Sequence, residues 1–308
     1  MSVLVNHETK LLIQGITGRQ AQLNTVYMRE YGTGVVAGVT PGKGGTKVGG
    51  EIPVYNTVKE ARRKHPQINA SVLYVPPTKV RNAAFEAIEA GIPFLVITTE
   101  RVPHQDAMEV IAYARRNQTR VLGPNSIGIV TPEECVVGLI GGRISTARLC
   151  FKKGRVGVIS RSGGQASTLS YYLSREEIGQ STVAGMGGDP FIGMSFKDFL
   201  VLFEQDEETE AVVAFGEVGT YAEEEAADFI KNKGFTKPFL CYVAGKYVQE
   251  GIRYGHSGAL ISKGWGDVRS KLKQLKKSGA VVLEHLDDVA RELKRIFSHH
   301  ELETVPSR

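Results

Sequence analysis

Cysteine is scarce in this chain. Its 308 residues carry three, Cys135, Cys150 and Cys241, far apart and without a CxxC spacing. That excludes a disulfide scaffold and fits a reducing compartment with three ordinary part-buried thiols. No apolar run approaches the length of a membrane span, and Met1-Ser2-Val3-Leu4-Val5-Asn6-His7 lacks the basic-then-apolar pattern of a signal peptide. The expected location is therefore the cytoplasm, with no membrane partner. Low-complexity segments and short repeats are missing too. The charge balance, 38 Lys and Arg against 33 Asp and Glu, leaves a net +5. Apart from a cluster between Lys263 and Lys277 the basic residues are scattered, and no aromatics interleave with them. A nucleic-acid platform is therefore not expected, and a small polyanion or an acidic partner subunit accounts for the excess.

What the chain does have is length for two domains, a hydrophobic content of 42%, and 35 glycines placed at the ends of apolar runs. Lys10–Ile13, Gly34–Val39, Ala70–Val75, Phe94–Ile97 and Arg120–Leu122 read as strands, with helices over Val80–Ala90 and Pro103–Asn117. The pattern restarts after Lys152-Lys153-Gly154, with strands at Arg155–Ile159, Ala211–Phe215, Pro238–Val243 and Val281–Leu283. Strands alternating with helices imply right-handed βαβ units and parallel sheets. The fold class is thus α/β in two domains, residues 1–140 and 141–308, with a polar, frayed tail expected from Ser298 onward.

In open parallel sheets ligands bind beyond the carboxyl ends of the strands, where glycine turns feed helix N-termini. Gly15-Ile16-Thr17-Gly18-Arg19-Gln20 is one such turn. The second strand ends in Thr40-Pro41-Gly42-Lys43-Gly44-Gly45, where a nicotinamide dehydrogenase wants an acidic residue for the ribose. Lys43 suits a phosphate instead, which favours a phosphorylated adenosine ligand such as CoA. A tight turn kept for packing remains the alternative for the first loop alone. Ser160-Arg161-Ser162-Gly163-Gly164 is the corresponding turn of the second half, with free N–H groups, a helix dipole and the Ser162 hydroxyl to hold a dianion. Gly185-Met186-Gly187-Gly188-Asp189-Pro190 is a further glycine-dense strand end.

His256 lies in Gly255-His256-Ser257-Gly258, where backbone can approach a bulky anion. A neutral imidazole can accept a phosphoryl group and pass it on. Glu217, inside Gly216-Glu217-Val218-Gly219, is placed to fix the imidazole tautomer. Taken singly, a turn-lining histidine and a helix-capping carboxylate remain open readings.

Together these segments, in order along nearly the whole chain, resemble the α subunit of succinyl-CoA synthetase and its relatives among acid–CoA ligases. The resemblance implies a Rossmann-like CoA-binding domain followed by a flavodoxin-like ligase domain. It also implies a three-step reaction: a nucleoside triphosphate phosphorylates His256, the phosphohistidine converts a carboxylate to an acyl phosphate, and CoA thiol displaces phosphate. Carried over residue by residue, Glu217 orients His256, and Ser162, Gly163 and Gly164 hold the phosphoryl group. Thr17, Gly18, Arg19, Gln20, Lys43, Thr98, Thr99 and Glu100 line the CoA site. The chain carries no nucleotide-grasp module, so the family implies a larger β-type subunit with an ATP-grasp fold that brings ATP and magnesium; no metal ligands are expected on this chain.

Departures bear on the acid. Succinate enzymes carry GPNCPG where Gly123-Pro124-Asn125-Ser126-Ile127-Gly128 stands, and a tyrosine linked to substrate where Ser167 stands. The SRSGG form and Arg62-Arg63-Lys64-His65-Pro66 look like ATP-citrate lyase, without a cleavage domain following. Ser126 and Ser167 are therefore expected at the acid, and citrate is favoured, as in the small subunit of a citryl-CoA synthetase, with succinate the alternative. A non-enzymatic CoA-binding regulator would need only the first domain and leaves Ser162, Glu217 and His256 without a purpose.

Overall fold

The structure is a computed structural model describing residues 2–252, 255–261 and 266–298 in full, with the helical backbone of 299–303. Arg253 and Tyr254, beside the histidine run, and Lys263 of the basic cluster lie outside the described residues. The first half comprises β1 (Lys10–Gln14), α1 (Arg19–Tyr31), β2 (Gly34–Val39), β3 (Lys47–Val48), β4 (Ile52–Tyr55), α2 (Val58–Lys64), β5 (Ala70–Leu73), α3 (Val80–Glu89), β6 (Phe94–Ile97), α4 (His104–Arg116) and β7 (Arg120–Leu122). These strands form one sheet in the order β3-β4-β2-β1-β5-β6-β7, parallel except for the β3–β4 pair.

Then follow β8 (Gly128–Thr131), β9 (Cys135–Gly138), α5 (Ile144–Cys150), β10 (Lys153–Ser160), α6 (Gly163–Arg175), β11 (Gln180–Gly185), α7 (Phe196–Gln205), β12 (Ala211–Glu217), α8 (Ala222–Lys231), β13 (Phe239–Ala244), α9 (Val268–Ser278), β14 (Val281–Val282) and α10 (Val289–Glu303). The second sheet runs β14-β13-β12-β10-β11-β8-β9. Its five parallel strands carry an antiparallel extension, β8 and β9, on the β11 edge.

The strands are continuous apolar runs because helices cover both faces of each sheet. Along β1, Leu11 and Ile13 enter one core while Leu12 enters the other, the alternation that a pleated strand imposes. The α/β class and the two parallel sheets agree with the sequence. Three details differ. The change of sheet falls between Leu122 and Gly128, earlier than the division at residue 140, because β8 and β9 pair with β11 rather than with the first sheet. The backbone of α10 stays helical from Ser298 to Glu303, where the polar composition suggested fraying. The three cysteines are free and buried, not half-buried. Burial holds the Cys135 thiol up at about 11, where it is a poor nucleophile.

In each sheet the first of the parallel strands in sequence sits where the order reverses. Strand β1 lies between β2 and β5, and β10 between β11 and β12. The crevices at the carboxyl ends of β1 and β10 are thus the topological switch points at which open α/β sheets take ligands.

Candidate active site

At the first switch point, β1 leads through Gly15-Ile16-Thr17 to Gly18, which precedes the first turn of α1 without any side-chain cap. The N–H groups of that turn are left for a ligand. Gly15 has φ of +78°, and a β-carbon there would overlap the Tyr74 carbonyl, so no other residue fits this bend. The Thr17 hydroxyl bonds the Thr40 hydroxyl at 3.2 Å, tying this turn to the one after β2. Asn56 holds that second turn by accepting from the N–H groups of Gly42 (2.9 Å) and Gly44 (3.0 Å). Lys43 is thereby presented to solvent, as are Gly18, Arg19 and Gln20. Thr98 and Thr99 end β6 on the same sheet edge, but their hydroxyls donate to the carbonyls of Leu73 and Val75, each at 2.8 Å. They shape the rim, with only lone pairs left for a ligand. Glu100 is exposed beside Arg101. An uncapped helix start, a glycine bend and a free lysine fit the phosphates of CoA.

The second switch point is built differently. Ser162 precedes α6, but its hydroxyl makes no capping bond. The N–H groups of Gly163 and Gly164 precede the first helical bond, made by Ala166 to the Ser162 carbonyl. Gly163 is required by packing, because a β-carbon would overlap Ile127, whereas Gly164 faces open space. Arg161, between these donors and the strand, is 1% exposed. Its Nε donates to Glu217 Oε1 at 3.3 Å and its Nη2 to the Asp189 carbonyl at 3.0 Å.

Glu217 ends β12, and its other oxygen, Oε2, lies 2.7 Å from Nδ1 of His256. A carboxylate only accepts, so Nδ1 carries the proton and Nε2 is left with its lone pair in the neutral ring. The bond to Glu217 holds the imidazole above its ordinary value of 6.5 against its partial burial; the Glu217 and Asp189 charges add to the rise and Arg161 opposes it. The ring packs against Gly188, where a β-carbon would overlap its Cγ. The loop is pinned by Ser257 Oγ to Asp189 Oδ1 at 2.8 Å and by the Gly258 N–H to the Gly188 carbonyl at 3.0 Å. Asn125 Nδ2 reaches the same Asp189 oxygen at 3.1 Å. One face thus gathers the ends of β10, β11 and β12 and the histidine loop around the unprotonated Nε2 of His256.

The expected pair Glu217 and His256 is therefore brought together, with the Ser162–Gly164 turn on the adjoining strand. Ser167 lies half-buried one turn beyond Gly163 on α6. Ser126 is a correction: it is 2% exposed, its hydroxyl donates to the Gly185 carbonyl and accepts from the Gly128 N–H, so it shapes the turn and presents nothing to an acid. Arg161, Asp189 and Asn125 fall within the glycine motifs, yet the sequence alone assigns them no part. The signal for Arg161 was a charged residue set between a buried strand and a phosphate turn. Among the described residues no group of three or more acidic, histidine or cysteine side chains could hold a metal ion. None of their helices is long and apolar enough to cross a membrane.

The class that this fold and site define is carried by two family models. That of the CoA binding domain matches residues 6–101, and that of the CoA-ligase matches residues 159–281. Over 305 residues, 98% of this chain and 97% of the other, the sequence is 43% identical to the succinate–CoA ligase [ADP-forming] subunit alpha of Aquifex aeolicus. It is also 43% identical over 297 residues, 96% of this chain and 99% of the other, to subunit alpha 1 of Archaeoglobus fulgidus. The chain belongs to this family of acid–CoA ligase α subunits. Among solved structures it is similar to ATP citrate lyase of Methanosaeta concilii, in complex with (3S)-citryl-CoA, with a TM-score of 0.89 at 22% identity. That match covers 99% of this chain and about half (52%) of the other, and shows the fold alone.

Proposed function

We propose that the chain is the α-type subunit of an ADP-forming succinate–CoA ligase that works through a phosphohistidine at His256. The observation that carries this reading is the 2.7 Å bond from His256 Nδ1 to Glu217, which leaves Nε2 as the nucleophile. In the first step Nε2 attacks the terminal phosphorus of a nucleoside triphosphate. The N–P bond forms as the bridging P–O bond breaks and the diphosphate leaves. Nδ1 keeps its proton throughout, and the growing positive charge on the ring is met by Glu217. The phosphoryl group is received by the N–H groups at the start of α6 and the uncommitted Ser162 hydroxyl, each such helix-end interaction contributing about 0.3–2 kcal/mol. A substrate carboxylate oxygen then attacks phosphorus, freeing His256, and the CoA thiol displaces phosphate from the acyl phosphate. CoA is held at the β1 turn through Gly18, Arg19, Gln20 and Lys43. Nucleotide and magnesium come on an ATP-grasp β-type partner, and the assembly works in the cytoplasm.

Succinate is preferred to citrate because the relatives that match end to end at 43% identity are named for succinate, whereas the citrate lyase likeness is one of fold. The departures at Gly164 and Ser167, read from the sequence as favouring citrate, are then variation within a succinate site. The test pairs the chain with its ATP-grasp partner and follows CoA thioester formation from each acid. Succinyl-CoA formed at a rate above citryl-CoA supports the reading; citryl-CoA alone restores the citrate assignment.

A further inference from the structure

The mechanism above uses no residue of α9, yet that helix carries a lysine with no exposure at all. Lys271 Nζ donates to Glu223 Oε2 at 2.6 Å, to Glu224 Oε2 at 2.8 Å and to the Thr220 carbonyl at 3.0 Å. Lys271 and Glu223 are both fully buried. Burial by itself acts to discharge this lysine, but the two carboxylates outweigh it and hold its ammonium charged. A buried ion cluster is costly to assemble, and its presence asks for a use beyond stability.

Its use is legible in what Glu223 does with its second oxygen. Glu223 Oε1 accepts the main-chain N–H of Glu217 at 2.9 Å. Gly216 permits this, since a β-carbon there would overlap the Glu223 carboxylate. Thr220, whose carbonyl Lys271 also holds, has φ of +49°, unfavourable for a β-branched residue and kept only where the surroundings impose it. Lys271 thus grips the turn from Glu217 to Glu224 at three points. Glu217 leaves that turn with its carboxylate split between Arg161 and His256.

We propose that Lys271 is a positioning residue for His256, acting through Glu223 and the backbone of Glu217. It touches neither substrate nor the reacting nitrogen. Its catalytic consequence rests on the reading of His256 as the phosphoryl acceptor; the positioning itself does not.

The test therefore uses the full chain without nucleotide or partner and reads the His256 ring by 15N NMR. Three charged groups bear on that ring, Glu217, Arg161 and Asp189, and all stay in place. In the natural chain the ring titrates above 6.5 and, when neutral, carries its proton on Nδ1. In Lys271→Met the titration falls back toward the ordinary value and the neutral ring becomes a mixture of tautomers. Glu223→Gln is the second variant, chosen because it keeps the shape and removes one charge. Its amide can offer an oxygen either to the Glu217 N–H or to Lys271, but not to both, so the same changes appear at smaller amplitude. A folded variant of either kind whose His256 titration and tautomer match the natural chain overturns the proposal. If Lys271→Met does not fold, Glu223→Gln decides. The expected NMR changes in the variants together with failure of thioester formation in the paired natural enzyme would sink the ligase reading and leave the positioning intact.

Discussion

Two glycine turns occupy equivalent places in this molecule, and what lies beneath them differs. Each follows the first parallel strand of its sheet at the switch point and opens a helix, α1 in one case and α6 in the other. The turn after β1 rests on neutral groups, the Thr17–Thr40 hydroxyl pair that ties it to the turn after β2, which the Asn56 amide braces and whose Lys43 is in solvent. The turn after β10 rests on buried charge, Arg161 and Glu217, with Lys271 and Glu223 behind them. A site that only holds an anion needs accessible donors and a tight bend. One that makes and breaks a bond to phosphorus must also fix a nucleophile, and in a protein interior that is done with paired charges.

Breaking the second turn should therefore cost far more than breaking the first. His256→Asn removes the proposed nucleophile, and thioester formation in the paired enzyme is expected to fall by on the order of 10³-fold or more, with no phosphate on the chain. Glu217→Gln keeps the shape but loses the negative charge and leaves one oxygen to serve both Arg161 and His256, for an expected loss of about 10²–10⁴-fold in kcat. Gly188→Ala pushes the ring out of place, and a displacement of this size is expected to lower the phosphorylation rate about 10²-fold with CoA affinity unchanged. Lys43→Ala, in the turn after β2 that adjoins the first turn, should raise KM for CoA by only a few-fold and leave phosphorylation alone, because an exposed charge contact is weak. A kcat defect in Lys43→Ala equal to that of Glu217→Gln would erase the comparison.

The pH dependence sharpens it. Only the neutral imidazole offers a lone pair, and its pKa is held above 6.5 by Glu217. The phosphorylation rate should therefore rise with pH through a midpoint above that value, and in Glu217→Gln the midpoint should drop. Stopped-flow phosphorylation followed from below the ordinary imidazole value of about 6.5 to well above it reads both.

Much of the binding turn was legible because glycine, proline and lysine at a strand end carry their own conformational and charge signals. His256 and Glu217 were legible as motif residues, and their contact follows from β12 ending beside the histidine loop. What could not be read is the buried charge. Lys271 stands in the basic run Arg269-Ser270-Lys271-Leu272-Lys273, which looks like a solvated helix face. The clue was positional: it falls three residues after Val268 and four before Leu275, the two buried apolar positions of α9. Ser126 misled for the opposite reason, since a small polar residue in a motif looks available until its two bonds are seen. Strands β8 and β9, four residues each, were too short for a periodic signal to place them in the second sheet.

The most direct measurement is phosphorus NMR of the chain with its ATP-grasp partner, ATP and magnesium. The account predicts a single phosphohistidine signal from Nε2 of His256, discharged on adding succinate and CoA and missing in His256→Asn. Thioester formation by His256→Asn at the rate of the natural chain, or phosphate carried on another residue, would contradict it.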